Sequence, residues 1–443
     1  MMLNKVAQIV TISLLAQSSA YAVTIQEAVS NAVTTNPDVL AASYERNAAS
    51  EQIKQAEAGY FPTIELAIGT GFESTDSPST RTASSHKNIH MNRDEASLNF
   101  NQMLFDGMQT TNEVRRFTAI EKAQSYAVFG TAENTGLEAV EAYLNVLRRQ
   151  HLVELAATNL EAHERTHDQI TLRSERGVGR KADMDQSQGR LALARANLIA
   201  QESNLRDQET TYLRVIGEQP DSLNEPELSS SVLPDTVDEA ISKAIDNHPV
   251  LKSANANIEE ANAQHDTAAA AFYPKVNLEI GTTANNDLNG VNGHDNDVTA
   301  MFRLRYNLLN GGKDSARRQE TAYRINQATE IRNNTHRQVE QSVRFSWNAL
   351  QTVKNQMQYF KAHVESSLRS RDAYRQQFSL GQRTLLDLLD SENELFVASQ
   401  ALVNAQYDEL FAIYRVLNSM GELLVNLQIQ LPETALQVSD NKE

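Results

Sequence analysis

Two histidines one helical turn apart have the spacing in this sequence that comes closest to a catalytic motif. His163-Glu-Arg-Thr-His167 fits the pattern H-E-x-x-H, in which two imidazoles on one helix face bind zinc and the glutamate acts as a base. The stretch lies inside a long uninterrupted helical segment, and no third histidine follows at the spacing of the longer zinc motifs. We therefore expect a pair of solvated histidines, with a zinc peptidase as the alternative.

The sequence contains no other constellation typical of an enzyme. It has no glycine-rich phosphate loop and no nucleophile elbow. We therefore predict no catalytic residue, no metal and no cofactor.

An acidic pair, Asp387 and Asp390, follows a turn at Gly381. The two carboxylates are three residues apart on a predicted helix and so share a face. Thr384 and Asp387 have the spacing of a capping box, in which the aspartate closes the start of the helix. If several chains surrounded a pore, the same acids would form a ring that attracts cations and binds a multivalent one. Both roles stay open, and they can coexist.

The composition excludes several classes of protein. The 443 residues carry a formal net charge of −17, whereas a nucleic-acid partner needs a basic surface. There is no cysteine, which excludes disulfides, zinc–thiolate sites, a thiol nucleophile and a lipid-modified N-terminal cysteine.

The first 22 residues have the features of a secretory signal. Lys5 supplies the positive region, residues 6–15 the apolar region, and Ala20-Tyr-Ala22 the cleavage site, so the mature chain should begin at Val23. A membrane anchor is the alternative, but the stretch is too short to span a bilayer. No later segment has about 18 uninterrupted apolar residues, so any membrane insertion must use strands.

The remainder of the chain is a tandem repeat. Each half reads as a short helix, two alternating strands, a long helix without proline, a glycine-containing tip and a second helix. Corresponding residues keep one spacing over many positions, and the second hairpin is eight residues shorter within its loop. The pairs are Gly177 with Gly381 and Asp183 with Asp387, 204 residues apart, and Pro37 with Pro249 and Pro62 with Pro274, 212 residues apart.

Heptad seams follow both tips, as in coiled coils. Polar stretches at 73–93 and 283–297 are expected to be long loops between the strands. The seams are Met184, Leu191, Leu198, Leu205 and Tyr212, and then Leu389, Phe396, Val403, Leu410, Leu417 and Leu424.

These features predict five segments. They are a signal peptide at 1–22, a first repeat at 23–218 with its hairpin near 62–105 and its tip at 176–185, a linker at 219–236, a second repeat at 237–424 with its hairpin near 274–309 and its tip at 378–390, and a polar tail at 425–443.

Four strands per chain cannot close a barrel, because about eight are the practical minimum. Open strand edges are not tolerated in lipid, so the chain must associate through its sheet. Two copies would give eight strands and three would give twelve; only the wider barrel leaves an obvious lumen. Arg303 and Arg305 require an aqueous side and are assigned to that lumen. A water-soluble two-sheet domain is the alternative.

The doubled hairpin, the long helices and the tip Gly381-Gln-Arg-Thr-Leu-Leu-Asp-Leu-Leu-Asp390 resemble the TolC family of outer-membrane channel proteins. The resemblance covers nearly all of the mature chain. It implies an α+β membrane protein: a homotrimer with a twelve-stranded barrel in outer-membrane lipid, continuous with a helical barrel that crosses the periplasm.

The resemblance also implies roles for single residues. In the family, the positions that match the two tips form a constriction at the periplasmic end of the channel. The resemblance implies that Arg383 there reaches Asp183 of the first tip. Phe378 departs from the family, which often has a tyrosine there, so we expect a latch with fewer hydrogen bonds. The resemblance implies that the exposed tips dock on a periplasmic adaptor protein; the alternative is that these residues serve only to form the turns. The gate residues are Asp183, Phe378, Arg383, Asp387 and Asp390; the docking residues are Gly177, Val178, Gly179, Leu380, Gly381 and Gln382.

The family exports substrates with a periplasmic adaptor and an inner-membrane transporter. Four stretches are closer to the branch that serves type I secretion of adhesins, which implies an ABC transporter and a large exported protein. Drug or small-molecule efflux is the alternative. The stretches are residues 130–135, 172–179, 330–337 and 388–395.

Overall fold

The computed structural model describes residues 22–83, 88–226 and 232–432. Residues 1–21 of the expected signal peptide, 227–231 of the expected linker and 433–443 of the expected tail lie outside the described residues. None of the helices in these ranges combines the length and the apolar character that a membrane crossing requires.

The chain divides into two units, each built from three segments. One contains residues up to 32, 138–229 and 356–410, and includes both helical tips. The other contains residues 33–137, 230–355 and 411–443, and includes the sheet.

Ten α-helices and four strands lie in the described part of the chain. Their bounds are α1 Ile25–Thr35, α2 Pro37–Glu57, β1 Thr63–Thr75, α3 Pro78–Ala83, β2 Ile89–Phe105, α4 Gln109–Glu175, α5 Lys181–Ile216, α6 Val237–Asn247, α7 Pro249–Ala269, β3 Lys275–Leu288, β4 Val291–Arg305, α8 Lys313–Ser379, α9 Leu385–Met420 and α10 Leu423–Asn426.

The same device starts the second short helix of each repeat. The Asn36 side chain accepts a hydrogen bond from the backbone N–H of Asp38 at 2.9 Å, and a proline occupies the first turn of α2. In α7, His248 Nδ1 accepts from the backbone N–H of Val250 at 3.3 Å, again beside a proline. Proline suits this position because the first N–H groups of a helix have no partner within it.

The four strands form one antiparallel sheet in the order β1-β2-β3-β4. The strands extend into both expected polar loops: the prediction of a loop at 283–297 is wrong, and the loop predicted at 73–93 is shortened, with residues 84–87 outside the described part. β1 continues to Thr75, and α3 occupies much of the first connection; β3 and β4 are joined by Asn289 and Gly290, whose φ angles are +57° and +77°. The missed strand ends carry polar side chains that do not alternate with apolar ones, and cross-strand contacts such as Arg93 Nη1 to Glu73 Oε2 at 3.1 Å hold them together.

The first predicted heptad seam lies within α5, whereas the second runs past the end of α9 at Met420, so that its last member, Leu424, belongs to α10. Five of their side chains are buried and the others are half-buried, as expected for helices that pack along a seam. The expected polar tail begins with packed residues: Leu427 and Leu431 are buried. The buried seam residues are Leu191, Tyr212, Leu389, Leu417 and Leu424.

Candidate functional site

One face of the sheet is apolar across all four strands. The register pairs Leu66 with Leu98, Phe100 with Ile280, and Leu278 with Phe302, so these side chains point to the same side. They are not covered within the chain: Phe302 is 77 % exposed and Leu66 65 %. A continuous exposed apolar face of this kind requires a nonaqueous environment or a partner.

The opposite face carries charge. Arg303 Nε donates to Glu279 Oε2 at 2.5 Å, and Arg305 Nη2 donates to Glu279 Oε1 at 2.8 Å. The two arginines are two residues apart on β4 and thus clamp one carboxylate of the neighbouring strand. The sheet therefore has one side suited to lipid and one suited to water.

The edges of the sheet are open in the described part of the chain. β1 pairs only with β2, and β4 pairs only with β3. Each edge leaves a row of backbone N–H and C=O groups without strand partners, and such edges bind further strands.

The two helical tips have the same backbone design. Gly177 and Gly381 both have φ = +74°, which lets the chain turn out of a long helix into the next one. Val178 is 78 % exposed and Leu380 71 %, so each tip presents an apolar side chain to solvent. Gly179 is half-exposed and Gln382 is exposed.

Asp387 forms the predicted capping box. Its Oδ2 accepts from the Thr384 hydroxyl at 2.8 Å and from the Thr384 N–H at 3.2 Å, and its own N–H donates to Thr384 Oγ1 at 3.3 Å. The Thr384 hydroxyl and N–H, together with the charge of Arg383, hold the pKa of Asp387 below its ordinary value. The capping role is thereby confirmed, and Asp387 is charged at neutral pH.

Arg383 contacts its own tip within the chain. Its Nε donates to Gln377 Oε1 at 3.0 Å, its guanidinium lies 4.3 Å from the centre of the Tyr374 ring, and Nη1 is 3.8 Å from Asp387 Oδ2. Among the described residues, no side chain pairs with the carboxylate of Asp183. The contact between Arg383 and Asp183 that the family resemblance implies is not formed inside one chain.

Asp390 connects the two repeats instead. Its Oδ1 accepts from Arg190 Nη2 at 2.8 Å, across the junction between α9 and α5. The sequence alone does not indicate Arg190, because a partner 200 residues away leaves no local signal.

Phe378 packs in an apolar cluster between the tips. The cluster contains Ile170, Leu385 and Leu389, with Met184 and Phe378 packed against it. The Arg173 guanidinium lies 5.1 Å from the centre of the Phe378 ring, a cation–π arrangement that needs no hydroxyl.

The two histidines of the zinc-like motif lie in different environments. His163 is only 6 % exposed, and burial lowers its pKa, so the expectation of a solvated side chain is wrong. His167 Nδ1 is 2.9 Å from the hydroxyl of Ser187. Over the described residues, no group of three or more histidine, aspartate or glutamate side chains could hold a metal ion. Helix packing accounts for both histidines.

A protein-family model described as "Outer membrane efflux protein" matches residues 28–218 and 240–422 of the chain. The chain belongs to this family. Outer membrane efflux proteins lie in the outer membrane, and this chain is one of them.

Two relatives in the family cover most of the chain. The outer membrane protein TolC of Escherichia coli (strain K12) is 26 % identical over 409 residues, covering 88 % of this chain and 80 % of TolC. The alkaline protease secretion protein AprF of Pseudomonas aeruginosa is 24 % identical over 423 residues, covering 91 % and 85 %.

Solved structures have the same fold. The crystal structure of the Campylobacter jejuni CmeC outer membrane channel superposes with a TM-score of 0.76 at 15 % identity, covering 93 % of this chain and 89 % of CmeC. This chain therefore has the fold of an outer-membrane channel, with four strands and long helices per chain.

Proposed function

We propose that this chain is the outer-membrane duct of a tripartite export system and that it works as a homotrimer. The observation that carries the proposal is the two-sided sheet with two open edges. In lipid, unpaired backbone groups cost several kcal/mol each, so both edges must be paired by other copies. Three copies give twelve strands and a water-filled lumen, with the Arg303–Glu279–Arg305 cluster on the lumen side.

The helical tips would form the periplasmic entrance of this duct. The gate residues are Asp183, Phe378, Arg383, Asp387 and Asp390, and the capping role of Asp387 is compatible with a second role in a ring of acids. The exposed residues from Gly177 to Gly179 and from Leu380 to Gln382 would dock on a periplasmic adaptor, since exposed apolar tips are suited to protein contact. Energy would come from the inner-membrane transporter, and the duct itself would do no chemistry.

We further propose a large protein, an adhesin, as the cargo, exported from an ABC transporter by type I secretion. The four stretches 130–135, 172–179, 330–337 and 388–395 support this branch. AprF, a relative whose name describes protease secretion, also supports a protein as the cargo. Efflux of drugs or small molecules is the second candidate, because the family's own description is efflux.

Deletion of the gene tests cargo and architecture separately. Loss of one large surface or secreted protein, with unchanged drug susceptibility, is the expected result. Drug hypersensitivity with normal protein export would transfer the channel to the efflux class. The architecture is tested on the purified protein: a monomer in detergent and in outer-membrane extracts, rather than a trimer, would overturn the duct.

A further inference from the structure

The carboxylate of Glu133 is buried beneath the C-terminal end of the described chain. Glu133 lies on α4 and is 6 % exposed. Its Oε1 accepts from the Leu424 N–H at 3.1 Å and its Oε2 from the Leu423 N–H at 3.2 Å. Its backbone carbonyl accepts from Asn418 Nδ2 at 2.9 Å. One residue of α4 thus holds both the end of α9 and the start of α10.

Residues 421–432, which we call the C-terminal strap, are fixed at a second point. Gly421 has φ = +71°, and a Cβ on it would lie 2.7 Å from Pro249 Cδ and 3.0 Å from His248 Cα. Asn247 Nδ2 donates to Glu422 Oε1 at 3.0 Å. The strap is therefore wedged against the break between α6 and α7 while Glu133 anchors it to α4.

The first repeat has no equivalent of this anchor. The position that corresponds to Glu133 is Arg337, and the position that corresponds to Leu424 is Pro220, which has no N–H to donate. The anchor is thus a feature of the chain's C-terminal end and was not produced by the duplication.

Burial raises the pKa of Glu133 to about 7, whereas the N–H groups of Leu424 and Leu423 lower it and the charge of Glu422 raises it. Two further titratable residues, Tyr126 on α4 and Lys252 on α7, line the cavity beside Glu133, and α9 contributes the neutral Asn418. In an undocked strap the carboxyl would meet water and regain its ordinary pKa, 4.5. The docked state consequently binds the proton more tightly, so lower pH favours docking.

The strap borders a cavity but is itself well packed. A cavity of about 370 Å³ lies beside Glu133, between Phe129 on α4 and Val425 and Ile429 of the strap. Val425 is 74 % exposed. Leu423, Leu424, Leu427 and Leu431 of the strap are buried, so loosening of the strap is a local unfolding that exposes these side chains.

We propose that the C-terminal strap is a pH-controlled clasp: protonation of Glu133 tightens its docking on α4, and ionisation near neutral pH loosens it. The clasp is independent of the cargo and would tune how firmly the chain's C-terminal end is held as the pH around the protein changes.

Amide hydrogen exchange on the full-length protein in detergent tests the clasp. After correction for base-catalysed intrinsic exchange, protection of the peptide containing Leu423 and Leu424 should fall on the order of 10-fold between pH 5.5 and 8. The peptide containing Gln219 and Pro220, the corresponding segment of the first repeat, should show no such transition. Constant protection of the Leu423–Leu424 peptide over this range would overturn the proposal.

Three variants assign the transition. Glu133→Gln should abolish it, because the amide does not titrate. Glu422→Gln should move its midpoint to lower pH, because a neighbouring negative charge is lost. Glu138→Gln, on the exposed side of α4, is the matched control and should leave it unchanged. A transition that survives in Glu133→Gln refutes the clasp; if that variant does not assemble, an unmoved midpoint in Glu422→Gln refutes it.

Discussion

Arg46 Nε donates to Glu121 Oε1 at 2.6 Å, and the arginine side chain is only 2 % exposed. In the second repeat the corresponding positions are Ile258 and Ile325. The buried ion pair between a short and a long helix of the first repeat thus corresponds in sequence to two aliphatic residues in the second. Buried ion pairs contribute little net stability but penalise wrong partners. We infer that this pair favours the packing of α2 on α4 and disfavours the packing of α7 in the same place.

Arg46→Met should destabilise the protein by about 3–5 kcal/mol, because it leaves the Glu121 carboxylate without its partner. The double variant Arg46→Ile with Glu121→Ile should recover most of the loss, as it copies the second repeat. Helical unfolding followed by circular dichroism measures both. Arg344→Met, in an exposed pair with Glu340, is the control and should change stability by about 0–1 kcal/mol. Equal losses in both single variants would contradict a special role for the buried pair.

The two faces of the sheet should respond differently to charge. Ile68 is 77 % exposed on the apolar face, so Ile68→Lys should reduce assembly in the outer membrane, at a cost of about 2–4 kcal/mol near the bilayer centre. Ala67→Lys places the same charge one residue away on the polar face and should assemble normally. The amount of trimer in outer-membrane fractions is the readout. Equal assembly of the two variants would mean that the apolar face does not meet lipid.

Block of the pore by a trivalent cation should depend on Asp387 and Asp390. Asp387→Asn with Asp390→Asn removes two charges per chain and leaves Arg190 without its partner, so the half-blocking concentration in single-channel recordings should rise at least about tenfold. Asp185→Asn, an exposed acid of the first tip, should have little effect. Undiminished block in the double variant would show that the cation binds elsewhere.

His163 should make the protein sensitive to acid. Because burial lowers its pKa in the folded state, the unfolded state binds a proton first as the pH falls below 6.5, and stability declines. His163→Leu should remove this decline and raise the unfolding temperature at pH 5 by about 2–4 °C relative to the wild type. His336→Leu, a half-exposed histidine of α8, serves as the comparison. The idea fails if the unfolding temperatures at pH 5 and pH 7 differ as much in His163→Leu as in the wild type.

Two glycines with nearly the same backbone should tolerate alanine differently. Gly381 has open space around the position of a Cβ, so Gly381→Ala meets only the left-handed strain of about 1–2 kcal/mol. Gly421→Ala adds a collision with Pro249 and should lower the unfolding temperature clearly further. The unfolding temperatures of the two variants, measured in parallel, test this prediction. Equal decreases would show that the close approach of Gly421 to Pro249 does not limit the size of the side chain there.

The sequence predicted those features that repeat or alternate. Gly177 and Gly381, the Thr384–Asp387 cap and the heptad seams were all visible, because each depends on residues within one or two turns of helix. Ile64, Leu66 and Ile68 likewise marked a strand by their alternation.

What the sequence could not show depends on distant partners or on water. Arg190 meets Asp390 and Glu133 meets Leu424 only after folding, and no local pattern records either contact. The ends of β1 and β3 were missed because strands that leave the apolar region no longer alternate. The sequence around His163 predicts a solvated side chain, because its burial comes from neighbouring helices and not from residues close to it in the chain.

The two open edges of the sheet have a consequence for biogenesis. A newly exported chain that has not yet assembled would expose two unpaired strand edges and the apolar face of its sheet, and both favour aggregation. Whether the chain aggregates in the periplasm then depends on binding by chaperones and on the rate at which it associates with other copies. Yield should accordingly rise more steeply than in proportion to synthesis rate, and slow expression should favour degradation over delivery.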